Sequence, residues 1–152
     1  MGIEIIISAV AITVSVATLT VLVYQTRALI RSIRANIYNQ IVQQNLRLNE
    51  VLVSNSQIAR ILSNKIDLGS VSESDLSVAK TLASSFINHY ENVYIQHKLT
   101  NLPETVWPGW ETYMHNRILE SPLMSEVWRE MKPVMDKDFV AYVEKRERLR
   151  SS

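Results

Sequence analysis

The chain has 152 residues, and its 16 Lys and Arg and 15 Asp and Glu leave a formal net charge of +1. This length suits one domain of ordinary size with an appendage. The balanced charge creates no overall field that would attract nucleic acid, so we predict no nucleic-acid partner. Cysteine is absent, which excludes disulfides, thiolate metal sites and a cysteine nucleophile. The three glycines are too scattered for a phosphate-binding loop.

The N-terminal part of the chain is strongly apolar. The 22 residues from Ile5 to Thr26 carry no charge, and eleven of them are Ile, Leu or Val. As an α-helix this run is roughly 33 Å long, which matches a hydrocarbon core of about 30 Å. The sequence therefore predicts a leader and a transmembrane helix within residues 1–26. A cleavable signal peptide and a buried helix of a soluble protein are the alternatives; the first lacks a basic leader, and the second rarely extends six turns without a charged face.

Three arginines follow the apolar run and predict its orientation. The leader contains Glu4 and no Lys or Arg, whereas Arg27, Arg31 and Arg34 lie within eight residues on the other side. Because positive charge stays on the cytoplasmic side, we predict a single-pass membrane protein with its N-terminus outside and its C-terminal domain in the cytoplasm. The arginines are predicted to contact the lipid headgroups of the bilayer surface.

Small residues recur along one face of the predicted transmembrane helix. They are Ser8, Ala11, Ser15 and Thr18. Such a seam allows two helices to approach closely and is the candidate contact of a homo-oligomer. A second set of small residues on another face, from Ala9 to Thr20, makes the first set less specific. No ionisable side chain lies within the run, so the sequence gives no sign of a proton or ion pathway.

The helix is predicted to continue beyond the membrane. No Gly or Pro occurs from Ile3 to Val53, and residues 27–53 are amphipathic. Their apolar stripe consists of Ile30, Ile33, Ile37, Ile41 and Leu48. This stripe either packs on the rest of the cytoplasmic domain or forms a parallel bundle in which Gln44 sets the register.

Residues 54–152 are predicted to form a small cytoplasmic helical bundle, which makes the fold all-α. Ser54 or Asn55 can start a short helix to Leu62, and a loop follows. Ser72, spaced three residues before Asp75, predicts a helix from Glu73 to Lys98. The apolar face of this helix comprises Leu76, Ala79, Leu82, Ala83, Phe86, Ile87, Tyr90, Val93 and Tyr94.

Prolines divide the remainder of the bundle. Asn101–Pro103 is predicted to start the next helical segment, and Pro108 either kinks that helix or restarts it. Ser121 followed by Pro122 is an N-cap and first-turn pair. Pro133 interrupts the helix that they start, and a last amphipathic stretch ends in a charged tail. No strand pattern is evident.

The order of these features resembles that of uncharacterised prokaryotic single-pass membrane proteins with a short all-helical cytoplasmic domain. The shared features are the N-terminal span, the basic Gln25 to Arg27, the helix that contains residues 88–94, Trp107, Trp110, the Ser121-Pro122 pair and Trp128. The resemblance implies this architecture and no activity, because the family has none assigned. Pro108 next to Trp107 departs from its pattern.

The histidines do not assemble a metal or catalytic site in the sequence. His97 extends an apolar helix face, which favours a core or rim position. His89 and Glu91 form an HxE triplet, but the zinc deaminases that use it also need cysteines. Glu111 and His115 are four residues apart and are interpreted as an ordinary surface pair, because a di-metal bundle needs paired Glu-x-x-His motifs. We predict no cofactor, no metal and no catalytic residue.

The remaining polar and aromatic candidates are predicted to contact a partner or line a cavity. They are His89, Glu91, Trp107 and His115. If the bundle closes over Glu91, its carboxylate needs a donor such as Arg117 or a tryptophan N–H. Trp110 and Trp128 are predicted to lie in the core, and Trp107 to be partly exposed.

The sequence as a whole predicts a membrane-anchored cytoplasmic helical domain that recruits or scaffolds a protein partner and is not catalytic. Its predicted partners are the lipid bilayer, a protein and, in an alternative arrangement, further copies of the chain. The alternative function is a homo-oligomeric ligand-sensing or channel-like membrane protein.

Overall fold

The structure is a computed structural model that describes residues 2–63 and 66–150. Six α-helices and two short 3-10 helices account for its regular structure, and no strand occurs within those ranges. The α-helices are α1 Gly2–Ser54, α2 Ser56–Leu62, α3 Glu73–Lys98, α4 Trp107–Glu120, α5 Pro122–Met131 and α6 Lys137–Arg150. The all-α prediction is therefore confirmed.

The chain divides into two compact units, residues 1–37 and residues 38–152. The division falls inside the predicted juxtamembrane segment, residues 27–53. We call residues 1–37 the N-terminal unit and residues 38–152 the helical domain. The helical domain thus includes the last part of α1.

The N-terminal unit consists of the apolar part of α1. Its most apolar window of 18 residues has a mean hydropathy of 2.5, and none of that window is buried. Within the described residues, α1 is the one helix that is long and apolar enough to cross a bilayer. Its large apolar side chains, including Ile3, Ile12 and Leu19, are exposed along the helix.

Side-chain hydrogen bonds cap the N-termini of α2, α3 and α5 at the predicted residues. The Asn55 side chain accepts from the backbone N–H of Ile58 before α2. The Ser72 hydroxyl accepts from the backbone N–H of Asp75 at 3.1 Å and donates to its carboxylate at 2.6 Å. Ser121 caps α5, whose first turn begins with a proline. Each cap satisfies a backbone donor that has no partner inside the helix.

Helix α3 supplies the centre of the core of the helical domain. Its buried residues are Ala79, Leu82, Ala83, Phe86, Ile87, His89, Tyr90, Val93 and Tyr94. This set matches the predicted apolar face with two differences, because Leu76 is only half-buried and His89 is added. Helices α2, α4, α5 and α6 all pack on α3. Ile41 of α1, which is 1% exposed, is also part of this core.

The predicted helix start at Asn101–Pro103 is wrong, because α4 begins at Trp107. Of the two alternatives for Pro108, a helix that restarts with this proline in its first turn is confirmed. Thr100 ends α3 with a positive φ of 57°. The backbone N–H of Thr100 donates to the carbonyl of His97, and that of Asn101 donates to the carbonyl of Gln96. These two bonds form a Schellman motif, which turns the chain away from the helix axis. Residues 101–106 therefore connect α3 to α4 without helix.

Candidate functional site

The helical domain contains an open groove between α1 and α4, with a volume of about 530 Å³. We call it the α1/α4 groove. Its lining residues are Tyr38, Asn45, Asn49, Val106, Gly109, Trp110, Tyr113 and Arg117. The residues of its two walls are more than 50 positions apart in the sequence, so no local pattern indicates this groove.

Helical spacing aligns the side chains on each wall. Tyr38, Asn45 and Asn49 are seven and four residues apart, so they project from one face of α1. Trp110, Tyr113 and Arg117 are three and four residues apart and share one face of α4. One wall therefore presents a phenol and two amides, and the other presents two aromatic rings and a guanidinium.

The Asn45 and Asn49 side chains differ in their hydrogen bonding. The Asn49 amide N–H donates to the backbone carbonyl of Asn45 at 2.8 Å, which holds this side chain along the helix. The Asn45 side-chain oxygen is buried and accepts no hydrogen bond from the residues that the structure describes. Such an acceptor is costly to leave without a donor.

Aromatic rings support the groove from the core. The Trp110 and Tyr113 rings meet edge to face, with centroids 6.3 Å apart. Behind them, His89 contacts Trp110 at 5.7 Å and Tyr90 contacts Tyr113 at 6.0 Å, both edge to face. These contacts restrict the rotamers of the groove rings, because each ring is fixed by a neighbour on α3.

His89 is a core residue, with 0% of its surface exposed. Burial lowers the pKa of His89 to about 4, so its imidazole is neutral at pH 7. Neither of its ring nitrogens has a hydrogen-bond partner within residues 2–63 and 66–150. The predicted role of His89 as a partner contact is not supported by this position, which lies behind Trp110.

Glu91 holds the start of α6. The backbone N–H of Asp136 donates to a carboxylate oxygen of Glu91 at 2.6 Å. The Asp136 side chain in turn accepts from the backbone N–H groups of Asp138 and Phe139, both at 3.0 Å. The donor to Glu91 is therefore a backbone amide, not Arg117 or a tryptophan as predicted. The structure gives Glu91 a capping role.

Glu111 and His115 were predicted to be an ordinary surface pair, but both are half-buried. The Glu111 carboxylate accepts hydrogen bonds from the Tyr142 hydroxyl and from Arg146, both on α6. Burial opposes ionisation of Glu111, but these two hydrogen bonds and the charge of Arg146 outweigh it and lower the pKa of Glu111. The pair therefore belongs to a contact between α4 and α6.

The surroundings of His115 lower the pKa of its imidazole. Burial lowers the pKa of His115, and the positive charge of Arg146 lowers it further. Its ring lies 5.5 Å from the ring of Tyr142, and neither nitrogen has a hydrogen-bond partner in the described part of the chain. The same part of the chain contains no cluster of three or more His, Asp or Glu that could hold a metal ion.

The tryptophans differ in their burial. Trp128 is 4% exposed, which confirms its predicted core position. Trp107 is partly exposed, as predicted, and its indole stacks on the imidazole of His97. Trp110 is also only partly buried, because one side of it lines the α1/α4 groove.

The predicted membrane-surface and seam residues lie on α1 in the N-terminal unit. Arg27, Arg31 and Arg34 are exposed and fall within about 60° of the helix circumference. The seam residues are also exposed, and they are Ser8, Ala11, Ser15 and Thr18. The Ser15 hydroxyl donates to the carbonyl of Ala11 at 2.8 Å, which satisfies it within the helix.

Comparisons of the chain with models of protein families, with curated proteins and with solved structures find no match. The resemblance to prokaryotic single-pass membrane proteins therefore stays a prediction.

Proposed function

We propose that this protein is a single-pass membrane protein whose helical domain binds a protein partner in the cytoplasm and has no catalytic role. The main support is the exposure of the apolar part of α1, in which no residue of the most apolar 18-residue window is buried. Contiguous apolar surface of this extent requires lipid or another apolar partner to cover it. A bilayer is the solvent that matches its length.

The hydroxyl groups of this segment are compatible with lipid. Thr13, Thr18 and Thr20 each donate to a carbonyl four residues earlier, at 2.8 to 2.9 Å. These bonds satisfy polar side chains inside the helix, as hydrocarbon requires. The serines and threonines that dilute the hydrophobicity of the segment therefore carry a reduced desolvation cost.

The proposed orientation follows from the arginines. Arg27, Arg31 and Arg34 directly follow the uncharged run, on one face of α1. Positive charge on this flank favours a cytoplasmic helical domain. Contact with an anionic leaflet contributes about 1 kcal/mol per arginine near the surface.

Membrane anchoring is tested by fractionation of cells that produce the untagged chain. We expect the wild-type protein to sediment with membranes and to resist alkaline extraction. Val16→Arg places a charge near the middle of the run, at a cost of about 2.5 to 3.5 kcal/mol, and should increase the extractable fraction. Val53→Arg is the matched control, because Val53 lies outside the run and is 86% exposed. Wild-type protein in the soluble fraction without detergent contradicts the proposal.

Topology and partner binding need separate measurements. A C-terminal alkaline phosphatase fusion, which is active only outside the cytoplasm, should be inactive. A photo-crosslinking amino acid in place of Trp110 should yield a discrete crosslinked protein in intact cells. The same amino acid in place of Val134, which is 86% exposed and lies outside the groove, should not. Equal products at both positions would remove the support for a groove-specific partner.

The second candidate function is a homo-oligomeric ligand-sensing or channel-like protein. The exposed seam of Ser8, Ala11, Ser15 and Thr18 favours it, because the satisfied hydroxyls make that face small and weakly polar. Chemical crosslinking in native membranes should then give a ladder of multimers that Ser15→Leu abolishes and Val16→Leu retains. Monomeric wild-type protein in this experiment contradicts the second candidate.

A further inference from the structure

The residues that line the α1/α4 groove carry positive charge and no negative charge. Arg117 is the single charged residue among those that line it, and no Asp or Glu is among them. The Arg117 guanidinium lies above the ring of Tyr113, at 5.5 Å from the ring centroid. It forms no hydrogen bond or ion pair with any side chain in the part of the chain that the structure describes. A carboxylate is the complementary partner for a guanidinium that has no ion pair within the described chain.

Arg117 is accessible from two sides. It lines the α1/α4 groove and also a smaller adjoining cleft of about 260 Å³, together with Tyr113. The smaller cleft is lined by Leu62, Ser63, Asn116 and Ser121 as well, none of which is charged. A bound peptide can therefore place an acidic side chain against Arg117 either from the α1/α4 groove or from the smaller cleft.

The groove walls present the groups that an extended peptide needs. Asn45 and Asn49 carry amides, which both donate and accept hydrogen bonds as a peptide backbone does. Tyr38 adds a hydroxyl that forms no hydrogen bond within the described residues. Trp110 and Tyr113 on the opposite wall offer aromatic surface of the kind that dominates protein interfaces.

The shape of the groove favours a peptide over an enclosed small molecule. Small-molecule sites generally cover most of the surface of their ligand. The α1/α4 groove is open to solvent, and its lining residues come from α1, from α4 and from Val106 just before α4. An open groove of this kind leaves most of a bound segment in contact with solvent.

We propose that the α1/α4 groove binds an extended, acidic segment of a protein partner, with a carboxylate of the segment paired to Arg117. This inference rests on the proposed function and specifies the chemistry of its partner. Asn45 and Asn49 bind the backbone of the segment, and Trp110 and Tyr113 pack against its side chains.

The test uses the full chain in lipid nanodiscs and two random nonapeptide libraries, one with a fixed central Glu and one with a fixed central Lys. We expect peptides of the Glu library to stay bound to the nanodiscs and peptides of the Lys library to be washed away. Fluorescence anisotropy with the most enriched Glu peptide should then show about tenfold weaker binding by Arg117→Gln. Arg129→Gln is the matched control, because Arg129 is exposed on α5 and, among the described residues, its guanidinium donates only to the carbonyl of Ser125.

A change in the peptide keeps the test independent of the folding of any variant. Replacement of its central Glu by Gln should weaken binding to the wild-type chain by the same factor, with little additional loss in Arg117→Gln. No loss from this replacement overturns the proposal. Equal retention of the two libraries, or full competition by free glutamate at the Kd of the peptide, also overturns it.

The outcomes separate this inference from the proposed function. If Trp110→Ala abolishes peptide binding while Arg117→Gln binds as well as the wild type, the groove binds a protein segment but does not recognise its acid. In that case the proposed function stands and the inference fails. If the wild-type chain does not associate with membranes but still binds the Glu peptide through Arg117, the inference stands and the proposed membrane anchoring fails.

Discussion

The imidazole of His97 stacks face to face on the indole of Trp107, with ring centroids 3.9 Å apart and an angle of 3° between the planes. His97 belongs to the last turn of α3 and Trp107 to the first turn of α4. The stack therefore joins the two helices across residues 99–106, which contain no helix. Glu104 of this connection lies 4.0 Å from a ring nitrogen of His97.

Loss of the indole should destabilise the helical domain. We expect Trp107→Leu to lower the free energy of unfolding by about 2 kcal/mol, because Trp107 also contacts the rings of Tyr94 and Tyr142. Urea unfolding of the full chain in detergent, followed by circular dichroism, measures the change. Val134→Ala is the control, because Val134 is 86% exposed and should change stability by less than about 0.5 kcal/mol. Equal stability of Trp107→Leu and wild type contradicts the structural role of the stack.

The burial of His89 should make stability depend on pH. In the unfolded chain His89 takes up a proton below its ordinary pKa of 6.5, whereas in the folded chain it does so only below about 4. The unfolded state therefore binds more protons between these values, so the stability contribution is complete above pH 6.5 and is lost as the pH falls. We expect a decrease of about 1 kcal/mol per pH unit between pH 6 and pH 4.

His89→Leu tests this assignment. Leucine is apolar and does not titrate, so the variant should lose most of the decrease between pH 6 and pH 4. The lowered pKa of His115 leaves a smaller dependence of the same sign. Chemical unfolding at a series of pH values provides the measurement. An unchanged slope in His89→Leu would show that another group causes the acid sensitivity.

The Tyr142 hydroxyl should stabilise the contact between α4 and α6. It donates a hydrogen bond to the half-buried carboxylate of Glu111, and such bonds to charged groups contribute about 1.5 to 3 kcal/mol. We expect Tyr142→Phe to lower the free energy of unfolding by about 1 to 2 kcal/mol. Tyr38→Phe is the matched control, because Tyr38 forms no hydrogen bond within the described residues. Equal effects of the two changes on thermal unfolding would contradict the prediction.

Thr100 is a site where a substitution should increase stability. It has a φ of 57°, which is unfavourable for a β-branched residue and favourable for glycine at this position of a Schellman motif. The relief of this backbone strain by Thr100→Gly, about 1 to 2 kcal/mol, should exceed the loss of the contact of the threonine and raise the free energy of unfolding by about 0.5 to 1 kcal/mol. A lower midpoint of urea unfolding than that of the wild type would refute this expectation.

Several features of the fold were predictable because they depend on neighbouring residues. Ser72 and Ser121 mark helix starts, because their hydroxyls accept hydrogen bonds from the backbone N–H groups of Asp75 and Met124, three residues later. The bounds of α3 and most of its buried face follow from the same local spacing. The end of α3 was less predictable, because Thr100 is not the residue that usually adopts a positive φ.

The candidate site was not predictable, because it depends on contacts between distant parts of the chain. Nothing near Arg117 in the sequence indicates that its guanidinium shares a groove with Asn45 and Asn49. Likewise, the spacing of Glu111 and His115 does not reveal that Tyr142 and Arg146 bind the carboxylate.

The sequence by itself determined the helical content, the starts of α2, α3 and α5, and the apolar segment that is long enough to cross a bilayer, since composition and short-range spacing control these properties. The tertiary structure alone decided which faces of α1 and α4 line a common groove, that His89 is buried without a partner in the described chain, and that Arg117 lines this groove. The physical reason is that these features arise from the packing of helices far apart in the chain, and burial then sets the charge and the accessibility of each side chain.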